Sequence, residues 1–116
     1  MKIALHSRKH QRTRAGGLIK YTLDQDPSSF QIKNIYEISE GGLSFLTYPK
    51  LEVGTAFRVS VLLLSREMPI DINAVVVRCP QKLKRPITYR VGLRFLDMSE
   101  KEQAALRDAL IFSLKG

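Results

Sequence analysis

The sequence is poor in the residues that build catalytic and metal centres. A single cysteine, Cys79, excludes an internal disulfide and any multi-cysteine metal site. At a strand end before Pro80 it reads as a small apolar filler rather than a nucleophile. Both histidines, His6 and His10, precede the first predicted strand and sit among cations. Their spacing of four suits a metal only on a helix, and that stretch has no apolar periodicity. No Walker-type or dinucleotide-binding glycine pattern occurs. No uninterrupted apolar run exceeds four residues, as in Val61–Leu64, far short of a membrane span. Met1-Lys2-Ile3-Ala4-Leu5 is basic but lacks the apolar stretch of a signal peptide. These absences predict no catalytic residue, no metal and no resident cofactor. They predict a soluble, cytoplasmic, single-domain protein.

Acidic residues are also in short supply. Asp and Glu total 11 against 19 Lys and Arg, a net charge of +8. Such an excess on a small domain points to an anionic partner. The excess is local. Met1–Gly16 holds Lys2, Arg8, Lys9, Arg12 and Arg14 and no acid. A second group, Lys82, Lys84 and Arg85, lies between Pro80 and Pro86 and reads as a solvated hairpin tip. The rest of the chain is close to balanced, which argues against a general solubility device.

From Leu18 onward the apolar period is two, the mark of half-buried strands. Ile19, Tyr21 and Leu23 form a first strand and Phe30–Tyr36 a second. Gly42–Thr47 forms a third, Phe57–Leu63 a fourth and Ile70–Val76 a fifth. In the sixth, Tyr89, Val91, Leu93 and Phe95 share one face, with Arg90, Gly92 and Arg94 on the other. Turn residues separate them, the longest break running from Cys79 to Pro86. After Asp97 the period becomes helical. Ser99 and Glu102 have capping-box spacing, and Ala105, Leu106, Ala109, Leu110, Phe112 and Leu114 form an apolar stripe over about four turns. The expected class is mainly β: a six-stranded antiparallel barrel or sandwich with a C-terminal helix over one opening or flank. Residues 1–16 form a flexible basic arm, and residues 17–116 form the barrel with its helix at about 99–114.

Two motifs suggest a function. Arg8-Lys9-His10-Gln11-Arg12 spaces two arginines by three residues just before the first strand. Glu37-Ile38-Ser39-Glu40-Gly41-Gly42 joins the second and third strands. In this order they resemble the PilZ domain, whose signature is Arg-x-x-x-Arg followed by Asp/Asn-x-Ser-x-x-Gly. Gly41-Gly42-Leu43-Ser44-Phe45, the turn from Leu51 to Gly54 and Val91-Gly92-Leu93-Arg94-Phe95 also look like family positions. The resemblance spans nearly the whole chain and implies a six-stranded β-barrel with a C-terminal helix. It also implies a bacterial receptor for cyclic di-GMP. Arg8, Arg12, Ser39 and Gly42 carry over as ligand residues. Position 37 departs from the pattern, because Glu37 stands where the family has Asp or Asn. Glutamate keeps an acceptor for a guanine N1–H and amino group but is one methylene longer. Lys9, Arg14 and Gly41 are candidates for additional contacts.

The chemistry of these residues suits the implied ligand. Cyclic di-GMP presents two phosphates and two guanines. An arginine fork donates to guanine O6 and N7, stacks on a base or pairs with phosphate. Ser39 supplies a hydroxyl, and Gly42 permits close backbone approach or positive φ. Binding would order the arm on the barrel and change its affinity for a downstream protein of motility, pilus or exopolysaccharide machinery. Two other functions compete. One is a degenerate PilZ barrel that docks on a protein without nucleotide, motivated by Glu37. The other is a small-barrel nucleic-acid binder. Nucleic acid is the less expected partner, because Phe30, Tyr36, Phe45, Phe57 and Phe95 mostly alternate as core residues instead of forming an exposed stacking face.

Overall fold

A computed structural model describes residues 16–23, 28–48 and 50–115, with side chains as far as residue 111. The period-two segments are strands. They are β1 (Gly17–Tyr21), β2 (Gln31–Ile38), β3 (Gly42–Thr47), β4 (Ala56–Leu63), β5 (Ile70–Arg78), β6 (Gln81–Lys84) and β7 (Ile87–Leu96), followed by α1 (Glu100–Lys115). Every pairing is antiparallel, in the order β3-β2-β1-β4-β5-β7, and β3 pairs with β7 to close a six-stranded barrel. Closure removes the free edges that an open sheet of this size would expose.

Alternation decides what faces inward. Ile19 and Tyr21 of β1, Leu43 and Phe45 of β3, Val59, Val61 and Leu63 of β4, and Val91, Leu93 and Phe95 of β7 are all buried in one core. Tyr21 packs between Phe45 and Phe57 in tilted and edge-on contacts, with ring centroids 5.3 and 5.4 Å away. Burial pushes the Tyr21 phenol above its usual pKa, partly offset by a hydrogen bond with Thr47.

The structure corrects several expectations. The first strand ends at Tyr21, and Leu23 beyond it is half exposed. The second strand begins at Gln31 and runs on to Ile38. Phe30 lies outside it on the surface, under the Lys20 ammonium at 4.3 Å. The Cys79–Pro86 break contains a seventh strand, β6, which pairs with the first residues of β7. It lies on the same side of β7 as β5 and continues that strand's path after an interruption at Cys79-Pro80. Pro80 has no N–H for the ladder, but its carbonyl still accepts from the Arg90 N–H at 3.0 Å. All four β6 residues are exposed, which is why apolar periodicity does not reveal it. Cys79 is buried and its sulfur accepts from the Leu51 N–H at 3.5 Å.

Asp97, at φ 52°, turns the chain out of β7 into the helix. The capping box forms as expected: the Glu102 N–H donates to Ser99 Oγ at 3.1 Å, and the Ser99 N–H donates to Glu102 Oε1 at 2.9 Å. Leu106, Ala109 and Leu110 are buried in the barrel core. The helix packs on β5, and Ser65 Oγ donates to the Ala109 carbonyl at 3.2 Å. Loss of the Ser99 hydroxyl strands one orphan N–H at the helix start. Ser99→Ala is therefore expected to cost about 1 kcal/mol and to lower the melting temperature by about 4 °C, measured by circular dichroism.

Candidate functional site

The second motif occupies the junction of β2 and β3. β2 carries a bulge between Ile35 and Glu37. Ile35 and Ile38 point into the core, whereas Glu37 pairs with Ser44, which alternates with the inward Leu43 and Phe45 yet is itself only 2% exposed. The extra residue, Tyr36, faces outward. A bulge of this kind re-aims side chains, and here it places an aromatic ring and a carboxylate side by side on the outer wall. The expectation that Tyr36 belongs to the core is corrected: it follows the inward Ile35, and ordinary alternation turns it outward.

Arg90 of β7 meets both. Its guanidinium lies over the Tyr36 ring, 4.7 Å from the centroid, and Nη2 donates to Glu37 Oε1. Both charged side chains are roughly three-quarters buried, at 28% and 25% exposure. In the sequence Arg90 falls on the polar face of the last strand and belongs to neither motif. Its alternation with Val91 is the available signal. Its proximity to Glu37 follows from the pairing of β3 with both β2 and β7.

Ser39, Gly41 and Gly42 form the turn itself. The Ser39 N–H donates to the Gly42 carbonyl at 2.8 Å. The Ser39 hydroxyl, 4% exposed, accepts from the Gly41 N–H at 3.2 Å and reaches the Gly42 carbonyl at 3.4 Å. The Phe95 N–H donates to the Gly41 carbonyl at 2.9 Å, which ties the turn to β7. A Cβ on Gly42 would lie 2.0 Å from the Leu93 carbonyl oxygen. The close approach expected of this glycine is thus an approach to β7, and its φ is not positive.

On the far side of the turn, Arg107 of α1 donates to Glu40 Oε1 at 2.8 Å. A cleft of about 520 Å³ opens beside this ion pair, between the turn and the start of α1, walled by Phe95, Asp97 and Gln103.

Arg8, Lys9, Arg12 and Arg14 lie outside the described residues, as do His6 and His10. Residue 16 enters the barrel beside the motif: the Leu64 N–H donates to the Gly16 carbonyl at 3.1 Å, and Leu18 pairs with Asn34 of β2. Lys82 and Lys84 stand on the exposed β6, which pairs with β7 at residues 87–89. Gly42 meets β7 at Arg94, so the two groups are separated by about 20 Å along the strand at 3.3 Å per residue. Among the described residues no group of three or more His, Cys, Asp or Glu is placed to hold a metal, and no helix is long and apolar enough to cross a membrane.

Comparison with known proteins matches residues 6–112 to the model of the PilZ domain. No curated protein sequence matches. Among solved structures, the PilZ domain of YcgR from Escherichia coli with c-di-GMP superposes at TM-score 0.74 and 22% identity, covering 95% of this chain and 92% of that one. The Bacillus subtilis inhibitor of motility MotI/DgrA gives 0.75 and 21%, covering 96% and 53%. The MrkH–c-di-GMP complex of K. pneumonia gives 0.75 and 18%, covering 92% and 52%. The chain therefore spans about half the length of the latter two proteins. A single fold runs through these likenesses, and the family match extends from the first motif through the barrel to the helix: this chain belongs to the PilZ domain family.

Proposed function

We propose that the chain is a cytoplasmic receptor for cyclic di-GMP, with Arg8, Arg12, Glu37, Ser39 and Gly42 as its binding residues and Lys9, Arg14 and Gly41 as further contacts. One observation carries this reading: the arm's point of entry and the second motif lie on neighbouring strands. Gly16 is tied to Leu64, the residue after β4, and β1 then pairs along β2, with Leu18 opposite Asn34, three residues before Glu37. The four residues from Arg12 to Gly16 span at most about 14 Å when extended. That reach brings an arginine to the outer wall at Tyr36–Glu37 without rearranging the barrel. Two arginines there supply bidentate donors to phosphate or guanine, and the Glu37 carboxylate supplies acceptors for the opposite base edge.

The ligand acts by its differential affinity for the arm-ordered state. Ordering the arm changes the surface offered to a downstream protein of motility, pilus or exopolysaccharide machinery. The Glu40–Arg107 ion pair is a second route, because it links the motif turn to α1. Titration calorimetry of the full chain tests the receptor reading. Saturable binding of cyclic di-GMP is expected, with a melting temperature that rises with this ligand and not with GTP. Arg8→Ala and Arg12→Ala are each expected to weaken binding at least about tenfold, the value of one lost charge-assisted contact, with an unchanged melt. Wild-type affinity in the double variant overturns the site. Absence of binding by the native chain overturns the receptor, leaving a barrel that docks on protein alone.

A further inference from the structure

We infer that Arg90 is a positioning residue for the ligand site, and that it makes Glu37 a guanine-selective acceptor where the family has Asp or Asn. This inference rests on the cyclic di-GMP reading above. The extra methylene of glutamate adds a torsion, and a solvated Glu37 would spread its carboxylate over several rotamers, an entropic cost to any contact that needs one of them. Three features remove that freedom. The β2 bulge aims Tyr36 and Glu37 to the same side. The Arg90 guanidinium lies over the Tyr36 ring, 4.7 Å from its centroid, which holds the fork against that ring. The fork then donates to Glu37 Oε1, with both partners mostly buried.

The charge also matters. Cyclic di-GMP brings two negative phosphates, and an uncompensated carboxylate on the wall would repel them. Arg90 offsets the negative charge of Glu37, and a carboxylate, with about four lone-pair sites, can accept from a base edge as well as from a guanidinium. Guanine presents two donors on one edge, N1–H and the 2-amino group. Hypoxanthine keeps the first and lacks the second. A carboxylate held in place by Arg90 discriminates between them, because a site built to accept both hydrogens is left partly unpaired by the analogue.

The test is titration of the full chain with cyclic di-GMP and cyclic di-IMP, in native protein and in Arg90→Met, Arg90→Lys, Glu37→Gln and the Arg90→Met/Glu37→Gln double variant. The native chain should prefer the guanine dinucleotide. Arg90→Met should weaken cyclic di-GMP binding about tenfold and change cyclic di-IMP much less, so that the preference collapses. Arg90→Lys, which keeps the charge without the planar fork, should fall between. The double variant should be no worse than the poorer single one. Should Arg90→Met lose its cooperative melt, Arg90→Lys and Glu37→Gln carry the same comparison. An unchanged preference ratio, or an equal loss for both dinucleotides, overturns the role of Arg90 while leaving the receptor reading intact. Failure of the native chain to bind either dinucleotide overturns the receptor reading itself, and this inference with it.

Discussion

Gly42→Ala is expected to disrupt the barrel rather than merely dull its affinity for a ligand. The added methyl would stand 2.0 Å from the Leu93 carbonyl oxygen, with the Leu93 carbonyl carbon and Arg94 Cα at 3.1 and 3.3 Å. All three obstacles are backbone, so no side-chain rotation relieves the clash. Relief requires β3 to move off β7, and that pairing closes the barrel from Gly42–Arg94 to Thr47–Tyr89. The expected cost reaches or exceeds the usual overpacking range of about 1–3 kcal/mol. Against a total stability of about 5–15 kcal/mol, a large fall in the urea midpoint should follow, with part of the population unfolded at physiological temperature. A Gly42→Ala protein with native stability but no ligand binding would refute this account and assign the glycine to the ligand alone.

Phe45→Ala is expected to be comparably damaging by the opposite mechanism. Phe45 is fully buried at the centre of β3, its ring 5.3 Å from that of Tyr21. It pairs with Ile35 on one side and Val91 on the other. Truncation leaves a cavity walled by strands that cannot collapse without breaking their ladders. The expected loss is about 3–5 kcal/mol, read from chemical denaturation with an unchanged m-value. Phe30→Ala is the control. That ring is 43% exposed and touched by Lys20, so its removal should cost no more than about 1 kcal/mol. Equal losses at the two positions would contradict the inward and outward assignments along the chain.

The contrast between these two phenylalanines shows where periodicity reads correctly and where it fails. Phe45 sits inside an unbroken alternation, and its burial follows from the period of two. Phe30 precedes a strand whose true start is Gln31, so counting back from it places the ring on the wrong face. Tyr36 follows the inward Ile35 and so faces out by ordinary alternation; the bulge then keeps Glu37 on that same side before Ile38 returns to the core. β6 is exposed along its whole length, so the sequence carries no burial signal for it. The helix was legible to its first turn, since both the Ser99–Glu102 box and the Leu106–Leu110 stripe are local patterns.

The candidate site divides along the same line. The order of the motifs, the alternation of six strands and the capped terminal helix are properties of near neighbours in the chain, and sequence alone determined them. Residues far apart in sequence met only through the tertiary structure. Arg90 reaches Glu37, 53 positions away, because β3 pairs with β2 on one edge and β7 on the other. Gly42 is obliged to be glycine by a carbonyl of Leu93 that no local rule names. Arg107 holds Glu40 because the helix folds back beside the turn. Closing the barrel selects one register out of many that the alternation allows, and that register decides which outward-facing side chains stand beside the motif.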